Sequence, residues 1–99
     1  MKMKMDFKKG MDLQQIEEVC DNNHQMLWDY MGYLNESGKA ALDTFSVISW
    51  YIPFCNNTDE LAQFLIEDIE GDDRTGRVRS SETKVIKNLR AFIKNILNK

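Results

Sequence analysis

Apolar residues recur every three or four positions along long stretches of this chain, a spacing that predicts amphipathic helices. The first such stretch runs from Leu13 to Leu34, and the last runs from Val85 to Leu97. One proline and five glycines in 99 residues leave few turn positions, which argues against an all-β chain. We therefore expect an all-α fold, a small four-helix bundle-like single domain that covers residues 1–99.

The first helix carries the clearest boundary signals. Asp12 is a good N-cap residue and Gln15 stands three positions later, the capping-box pattern. Gly38 is expected to end this helix as its C′ residue. Asn23 interrupts the apolar stripe, and it either fixes the register with a neighbouring helix or lies at the wet edge of the stripe.

The third and fourth helices are also bounded by capping residues. Asn57 with Glu60 repeats the capping-box pattern, and Gly71 is expected to close the third helix. A polar loop over residues 71–81 then leads to Ser80 or Ser81, which caps the last helix. The third helix is expected to bury four side chains: Leu61, Phe64, Leu65 and Ile69.

Two segments carry strand signals instead. Residues 1–10 begin with an alternation of apolar and charged side chains, which predicts either a short edge strand or a flexible extension. The segment Phe45–Ile52 is rich in β-branched and aromatic residues, but it does not alternate strictly. We favour a central, nearly fully buried helix that Pro53 stops, and a strand is the alternative.

Charge is segregated along the chain. Residues 11–73 carry fourteen carboxylates and one lysine, whereas residues 74–99 carry eight basic side chains and one glutamate. We expect the carboxylates to form an acidic partner-binding face, and exposed aromatics such as Trp28 or Trp50 to supply contact energy. The residues of this predicted face are Glu17, Glu18, Asp21, Glu67, Asp68, Glu70, Asp72 and Asp73.

The negatively charged carboxylates at the C-terminal end of the third helix interact unfavourably with the negative end of the helix dipole. A cation from elsewhere in the chain is expected to compensate for them. The sequence predicts that Arg74, Arg77 or Arg79 lies near Glu67, Asp68 or Glu70.

The basic C-terminal part of the chain supports a second hypothesis, nucleic-acid binding. Its contacts would be Arg74, Arg77, Arg79, Lys84, Lys87, Arg90 and Lys94. The isoelectric point near 5.1 is opposite to that of a typical nucleic-acid binder, and the preceding loop is too long for a helix-turn-helix. We therefore rank nucleic acid below a protein partner.

A thiol site is the first catalytic possibility. Cys20 and His24 lie one helical turn apart, and a histidine beside a cysteine can activate the thiol as a nucleophile. With Cys55 they would offer three zinc ligands, although without the usual paired spacing. We expect Cys20 and Cys55 to be free, buried thiols instead.

A metal-dependent hydrolase is the other catalytic possibility. Glu18 with Asp21, and Glu67 with Glu70, form carboxylate pairs three residues apart on helices. Acidic helix faces are usually solvated, so this is our third-ranked hypothesis. We expect no catalytic residue, no metal and no cofactor.

No apolar segment suggests a membrane role. The longest apolar stretch, Phe45 to Cys55, is too short to span a bilayer, and the lysine-rich start is followed by polar sequence rather than a signal's apolar core. We expect a cytoplasmic, non-catalytic interaction protein of the inhibitor, immunity or antitoxin type. Its partner would be another protein with a basic surface, and homodimerisation is left open.

Overall fold

The computed structural model describes residues 7–75 and 80–97, with side chains described for residues 7–71 and 84–96. Four α-helices make up most of these ranges: α1 (Leu13–Asp29), α2 (Glu36–Tyr51), α3 (Thr58–Thr75) and α4 (Ser80–Leu97). Two short 3₁₀ turns, Met31–Tyr33 and Ile52–Phe54, flank α2. The described residues contain no strand, and the expected small all-α bundle is confirmed.

The start of α1 follows its sequence signal. The Asp12 carboxylate accepts a hydrogen bond from the Gln15 backbone N–H at 2.8 Å, and the Gln15 side chain accepts from the Asp12 N–H at 3.0 Å. This reciprocal pair satisfies two backbone donors that a helix start leaves open. Asn23 lies half-buried and donates to the Val19 carbonyl at 2.8 Å, so its amide is satisfied within α1.

The expectation that the first helix runs to Gly38 is wrong. The helix ends at Asp29, and a second helix begins at Glu36. Asn35 is its N-cap, because the Asn35 side chain accepts from the Gly38 N–H at 2.9 Å. Gly38 therefore lies in the first turn of α2, where a Cβ would come within 2.9 Å of Leu34 Cδ2.

The segment Phe45–Ile52 is helical, as preferred, but the expectation that it is nearly fully buried is wrong, since Trp50 is 70% exposed. Phe45 and Ile48 are fully buried, whereas Asp43 and Ser46 are exposed. Pro53 lies in the 3₁₀ turn directly after α2, because proline cannot continue an α-helix without losing a backbone hydrogen bond.

The end predicted for α3 is also wrong. Asn57 accepts from the Glu60 N–H at 2.9 Å, while the Glu60 carboxylate accepts from the N–H of Asn56 at 2.8 Å, so the predicted cap is present with its return bond shifted by one residue. The helix then continues through Gly71 to Thr75, since one glycine costs a helix only about 1 kcal/mol. The rest of the predicted loop, residues 76–79, lies outside the described residues.

The last helix begins at Ser80, so Ser80 and Ser81, which were expected to cap it, both lie inside α4. Its cap contacts lie outside the described side chains. Five side chains of α4 are buried: Ile86, Leu89, Phe92, Ile93 and Ile96.

The helices pack in the order α1, α2, α4, α3, so that α2 and α4 form the centre. Two contacts show that these central helices run in the same direction: Glu36 with Lys84, and Thr44 with Asn88. Thr44 is fully buried. Its hydroxyl donates to the Ala40 carbonyl at 2.7 Å and accepts from Asn88 Nδ2 at 3.3 Å, which satisfies it.

Phe7 joins the core ahead of α1. Its ring meets Phe92 edge-on at 4.7 Å and lies 6.0 Å from Phe45, so it bridges the two central helices. Residues 7–10 form no strand, and the predicted edge strand over residues 1–6 lies outside the described residues. Residue 7 is thus fixed in the core.

Candidate partner-binding surface

Among the described side chains, seven large hydrophobic ones are exposed, and they form two groups at opposite ends of α2. The first group surrounds the turn before α2 and contains Trp28, Tyr30, Met31 and Tyr33. The second group surrounds the turn after α2 and contains Trp50, Phe54 and Phe64. Because α2 has 16 residues, the two groups are separated by roughly 24 Å.

The second group, which we call the aromatic surface, consists of Trp50, Phe54 and Phe64. Trp50 is 70% exposed, Phe54 is 65% exposed and Phe64 is 38% exposed. Trp50 lies in the last turn of α2 and Phe54 in the 3₁₀ turn that follows it, so both belong to the same end of this helix. Phe54 shares the 3₁₀ turn beyond α2 with Pro53, and it is not part of the buried core.

Tyr51 joins α3 to this surface. Its ring stacks on Phe64 with centroids 5.6 Å apart and planes inclined by 12°. Because Phe64 is 38% exposed, the prediction that it is buried is wrong. The helix α3 packs mainly on α4 and much less on α2, so the side of its apolar stripe that faces α2 is only partly covered.

The chain around the aromatic surface is acidic. From Trp50 to Glu70 the sequence holds five carboxylates and no lysine or arginine. Three of them, Glu60, Glu67 and Asp68, lie three or four residues from Phe64, on the same side of α3. Gln63 Nε2 donates to Glu67 Oε1 at 3.3 Å, which orients that carboxylate.

A second acidic flank comes from α1. The Cys20 thiol hydrogen bonds with Ser49, which places the first half of α1 against the last turns of α2. Glu17, Glu18 and Asp21 are exposed on this part of α1. They therefore lie at the end of the molecule that carries Trp50.

The predicted acidic residues thus form two flanks. Glu17, Glu18 and Asp21 lie on α1, and the exposed side chains of Glu67, Asp68 and Glu70 lie on α3. Among the described residues, the pair α1 and α3 is not one of the main helix contacts, so the two flanks meet the end of α2 from different sides. The side chains of Asp72 and Asp73 lie outside the described residues.

The first part of the predicted basic face borders α2. Lys84 Nζ lies 3.8 Å from Glu36 Oε2. Lys84 and Lys87 line a groove of about 250 Å³ with Ser37, Ala40 and Asn88. A solvated ion pair of this kind contributes little stability, but it places a carboxylate beside a predicted phosphate contact.

The second part of the basic face borders α3. Arg90 and Lys94 line a groove of about 220 Å³ that also contains Glu70, with Ile66, Ile69 and Ile93 as its apolar lining. Cations from α4 therefore lie beside one carboxylate of the acidic run of α3. The predicted proximity of Arg74, Arg77 or Arg79 to this run falls outside the described residues.

The environment of Cys20 disfavours the thiolate form that a cysteine nucleophile needs. Cys20 is fully buried, and burial raises the pKa of its thiol to about 12; the hydrogen bond with Ser49 lowers this pKa, while Asp21 and Glu17 raise it. The thiol is therefore protonated at neutral pH, whereas reactive cysteines have depressed pKa values.

The His24 ring stacks on the Trp28 ring, with centroids 6.1 Å apart and planes inclined by 8°.

Both cysteines are free, as expected, but Cys55 is half-buried instead of buried. Burial raises the pKa of the Cys55 thiol, and Glu60 adds to this effect. Among the described side chains, those of residues 7–71 and 84–96, no three from His, Cys, Asp or Glu are grouped so that they could hold a metal ion. No helix within residues 7–75 and 80–97 has the length and apolar character needed to cross a bilayer.

Comparisons of this chain with protein-family models, with curated proteins and with solved structures give no match. The exposure of Trp28 and Trp50 agrees with the expectation drawn from sequence. Sequence reasoning missed Phe54 and Phe64, although the Pro53–Phe54 dipeptide directly after an apolar helix was a usable signal for Phe54.

Proposed function

We propose that this chain is a non-catalytic interaction protein that binds a protein partner with a basic surface. The observation that carries the proposal is the exposure of Trp50 and Phe54 within a segment whose charged residues are all acidic. Exposed groups of large apolar side chains are typical of binding surfaces, and aromatic residues dominate the energetics of such surfaces. Inhibitors, immunity proteins and antitoxins are examples of small proteins that act in this way.

The charge distribution supports a basic partner. The carboxylates of α1 and α3 flank the aromatic surface from two sides, and they would attract a cationic protein during diffusional encounter. Contact energy would then come from burial of Trp50 and Phe54. If the carboxylates attract the partner before contact, the association rate is expected to fall as the salt concentration increases.

Affinity capture from the native host, followed by measurements on the purified partner, tests this proposal. Trp50→Ala combined with Phe54→Ala is expected to weaken binding by at least tenfold, because each side chain is a candidate hot spot. Tyr33→Ala changes an aromatic residue at the other end of α2 that is 90% exposed; it is the control and is expected to retain binding. The proposal fails if the purified partner binds both variants equally well, or if its binding is insensitive to salt.

Nucleic acid is the competing partner. Carboxylates lie beside three of the candidate phosphate contacts, since Lys84 pairs with Glu36 and Arg90 and Lys94 share a groove with Glu70. These carboxylates would oppose a phosphate backbone, which supports the protein partner. Salt-dependent DNA or RNA binding that is lost in Lys87→Ala combined with Lys94→Ala would reverse this order.

A further inference from the structure

We propose that the aromatic surface accepts an arginine-rich segment of the partner, whose guanidinium groups stack on Trp50 and Phe54 while carboxylates of α3 pair with them. This inference rests on the proposed function and names the chemistry of the bound segment. Its basis is the exposure of Trp50 and Phe54 at the end of α2, the Glu60 carboxylate that accepts from the Asn56 N–H two residues after Phe54, and the stacking of Phe64 of α3 on Tyr51.

The rings provide the stacking platform. Trp50 and Phe54 each expose about two thirds of their surface, so at least one face of each ring is open to a ligand. A cation above an aromatic face is attracted by the ring quadrupole, and tryptophan gives the strongest such interaction. Guanidinium groups are planar and less strongly hydrated than ammonium groups, so they stack better than lysine does.

The carboxylates provide the charge. Glu67 and Asp68 are exposed and follow Phe64 by three and four residues, and Glu60 precedes it by four. A guanidinium on the rings would lie near a carboxylate able to accept two parallel hydrogen bonds. The geometry of this pairing is specific to arginine, because an ammonium group has no planar pair of donors.

Apolar and acidic occupants fit this surface less well. A purely apolar helix docked here would remove Glu60, Glu67 and Asp68 from water without neutralising them, which is unfavourable. An acidic segment would be repelled by the same residues. An arginine-rich segment would stack on the rings and also pair with the carboxylates.

The test compares an arginine homopeptide with a lysine homopeptide of equal length at fixed ionic strength. The chain has two tryptophans, so the Trp28→Phe variant leaves Trp50 as the only tryptophan, and its fluorescence reports binding at the aromatic surface. We expect the arginine peptide to change the Trp50 emission and to bind about fivefold more tightly than the lysine peptide. Trp50→Phe, which leaves Trp28 as the reporter, is expected to show little change in emission.

Leucine variants separate stacking from charge. Trp50→Leu combined with Phe54→Leu keeps apolar surface but removes the rings, so calorimetric titration is expected to show similar affinities for the two peptides. Trp28→Leu is the matched control and is expected to keep the preference for arginine. Circular dichroism checks that each variant is folded.

The outcomes distinguish this inference from the proposed function. Equal binding of the two peptides by the unmodified chain, or an arginine preference that survives the double leucine substitution, would overturn the inference and leave a basic partner in place. Binding of neither peptide at low salt would count against both.

Discussion

The two cysteines show at the residue scale how position in the fold decides side-chain chemistry. Cys20 is fully buried between α1 and α2, and burial holds its thiol pKa near 12. Cys55 is half-buried and directly follows Phe54, with its sulfur 3.2 Å from the Tyr51 carbonyl to which it donates. The same functional group is thus shielded at one position and accessible at the other.

A thiol reagent should therefore distinguish the two residues. In the native protein at pH 8, we expect Cys55 to react first, because it is only half-buried, and Cys20 to react only as fast as the chain opens. Mass spectrometry of the labelled peptides after timed quenching measures both rates. Similar native-state rates for the two cysteines would contradict the buried position of Cys20.

The raised pKa of Cys20 also predicts a pH dependence of stability. In the unfolded chain the thiol ionises near pH 9.0, the ordinary pKa of a cysteine, whereas in the folded chain it ionises near pH 12. Its contribution to stability is thus present below pH 9 and is lost as the pH rises from 9 towards 12. Between pH 8 and pH 10 we expect a loss of about 1.4 kcal/mol in the free energy of unfolding. Urea denaturation of the unmodified chain and of Cys20→Ala isolates this effect, since the variant should lack it.

At the element scale, helix boundaries depend on competition between local signals. Periodicity in the sequence predicts the presence of helices and the helical state of Phe45–Ile52. It misses the break between α1 and α2, because the apolar spacing continues through the turn to Leu34 and Asn35 caps a new helix there. It also misplaces Gly38 and Gly71, because glycine occurs both after helices and inside them, and only the tertiary contacts distinguish the two.

The two helical glycines should respond differently to alanine. At Gly71 a Cβ would meet nothing within 4 Å, so Gly71→Ala should stabilise the protein by about 0.5–1 kcal/mol through helix propensity. At Gly38 the new Cβ would come within 2.9 Å of Leu34 Cδ2, and the Leu34 side chain would have to move. Chemical denaturation should therefore place Gly38→Ala below Gly71→Ala in stability. Equal stabilisation by the two substitutions would show that Leu34 moves at no cost.

The N-cap of α2 gives a further test at this scale. Asn35→Ala removes the acceptor of the Gly38 N–H, so we expect a loss of about 1 kcal/mol in unfolding free energy. Asn35→Asp keeps an acceptor and is the control. The idea that Asn35 starts α2 would be wrong if alanine and aspartate gave the same stability.

At the scale of the whole molecule, the fold separates a continuous core from two exposed aromatic groups. The core positions of α1, α2 and α4 could be predicted from sequence, because burial there follows the helical period. The aromatic surface could be predicted only in part: the exposure of Trp50 was expected, whereas that of Phe64 depends on how α3 packs against α2 and α4. Likewise, the chain order does not reveal that the predicted acidic residues lie on helices outside the central pair.

The contrast between Phe7 and Phe54 tests this separation. Phe7 is 6% exposed and contacts both central helices, so Phe7→Ala should cost about 3 kcal/mol. Phe54 is 65% exposed, and Phe54→Ala should change stability by less than about 0.5 kcal/mol. Urea denaturation of the two variants measures both values. A small loss for Phe7→Ala would mean that this residue is not part of the cooperative core.

The contact between Phe7 and Phe92 has a consequence for synthesis. A ribosome makes Phe7 and α2 well before α4, so the apolar face that α4 covers stays open while the intervening residues are translated. Small helical domains fold within milliseconds, whereas elongation adds only about 5–20 residues per second. Closure of this core is therefore timed by translation, and a nascent chain paused before residue 80 would present Phe7 and Phe45 to chaperones.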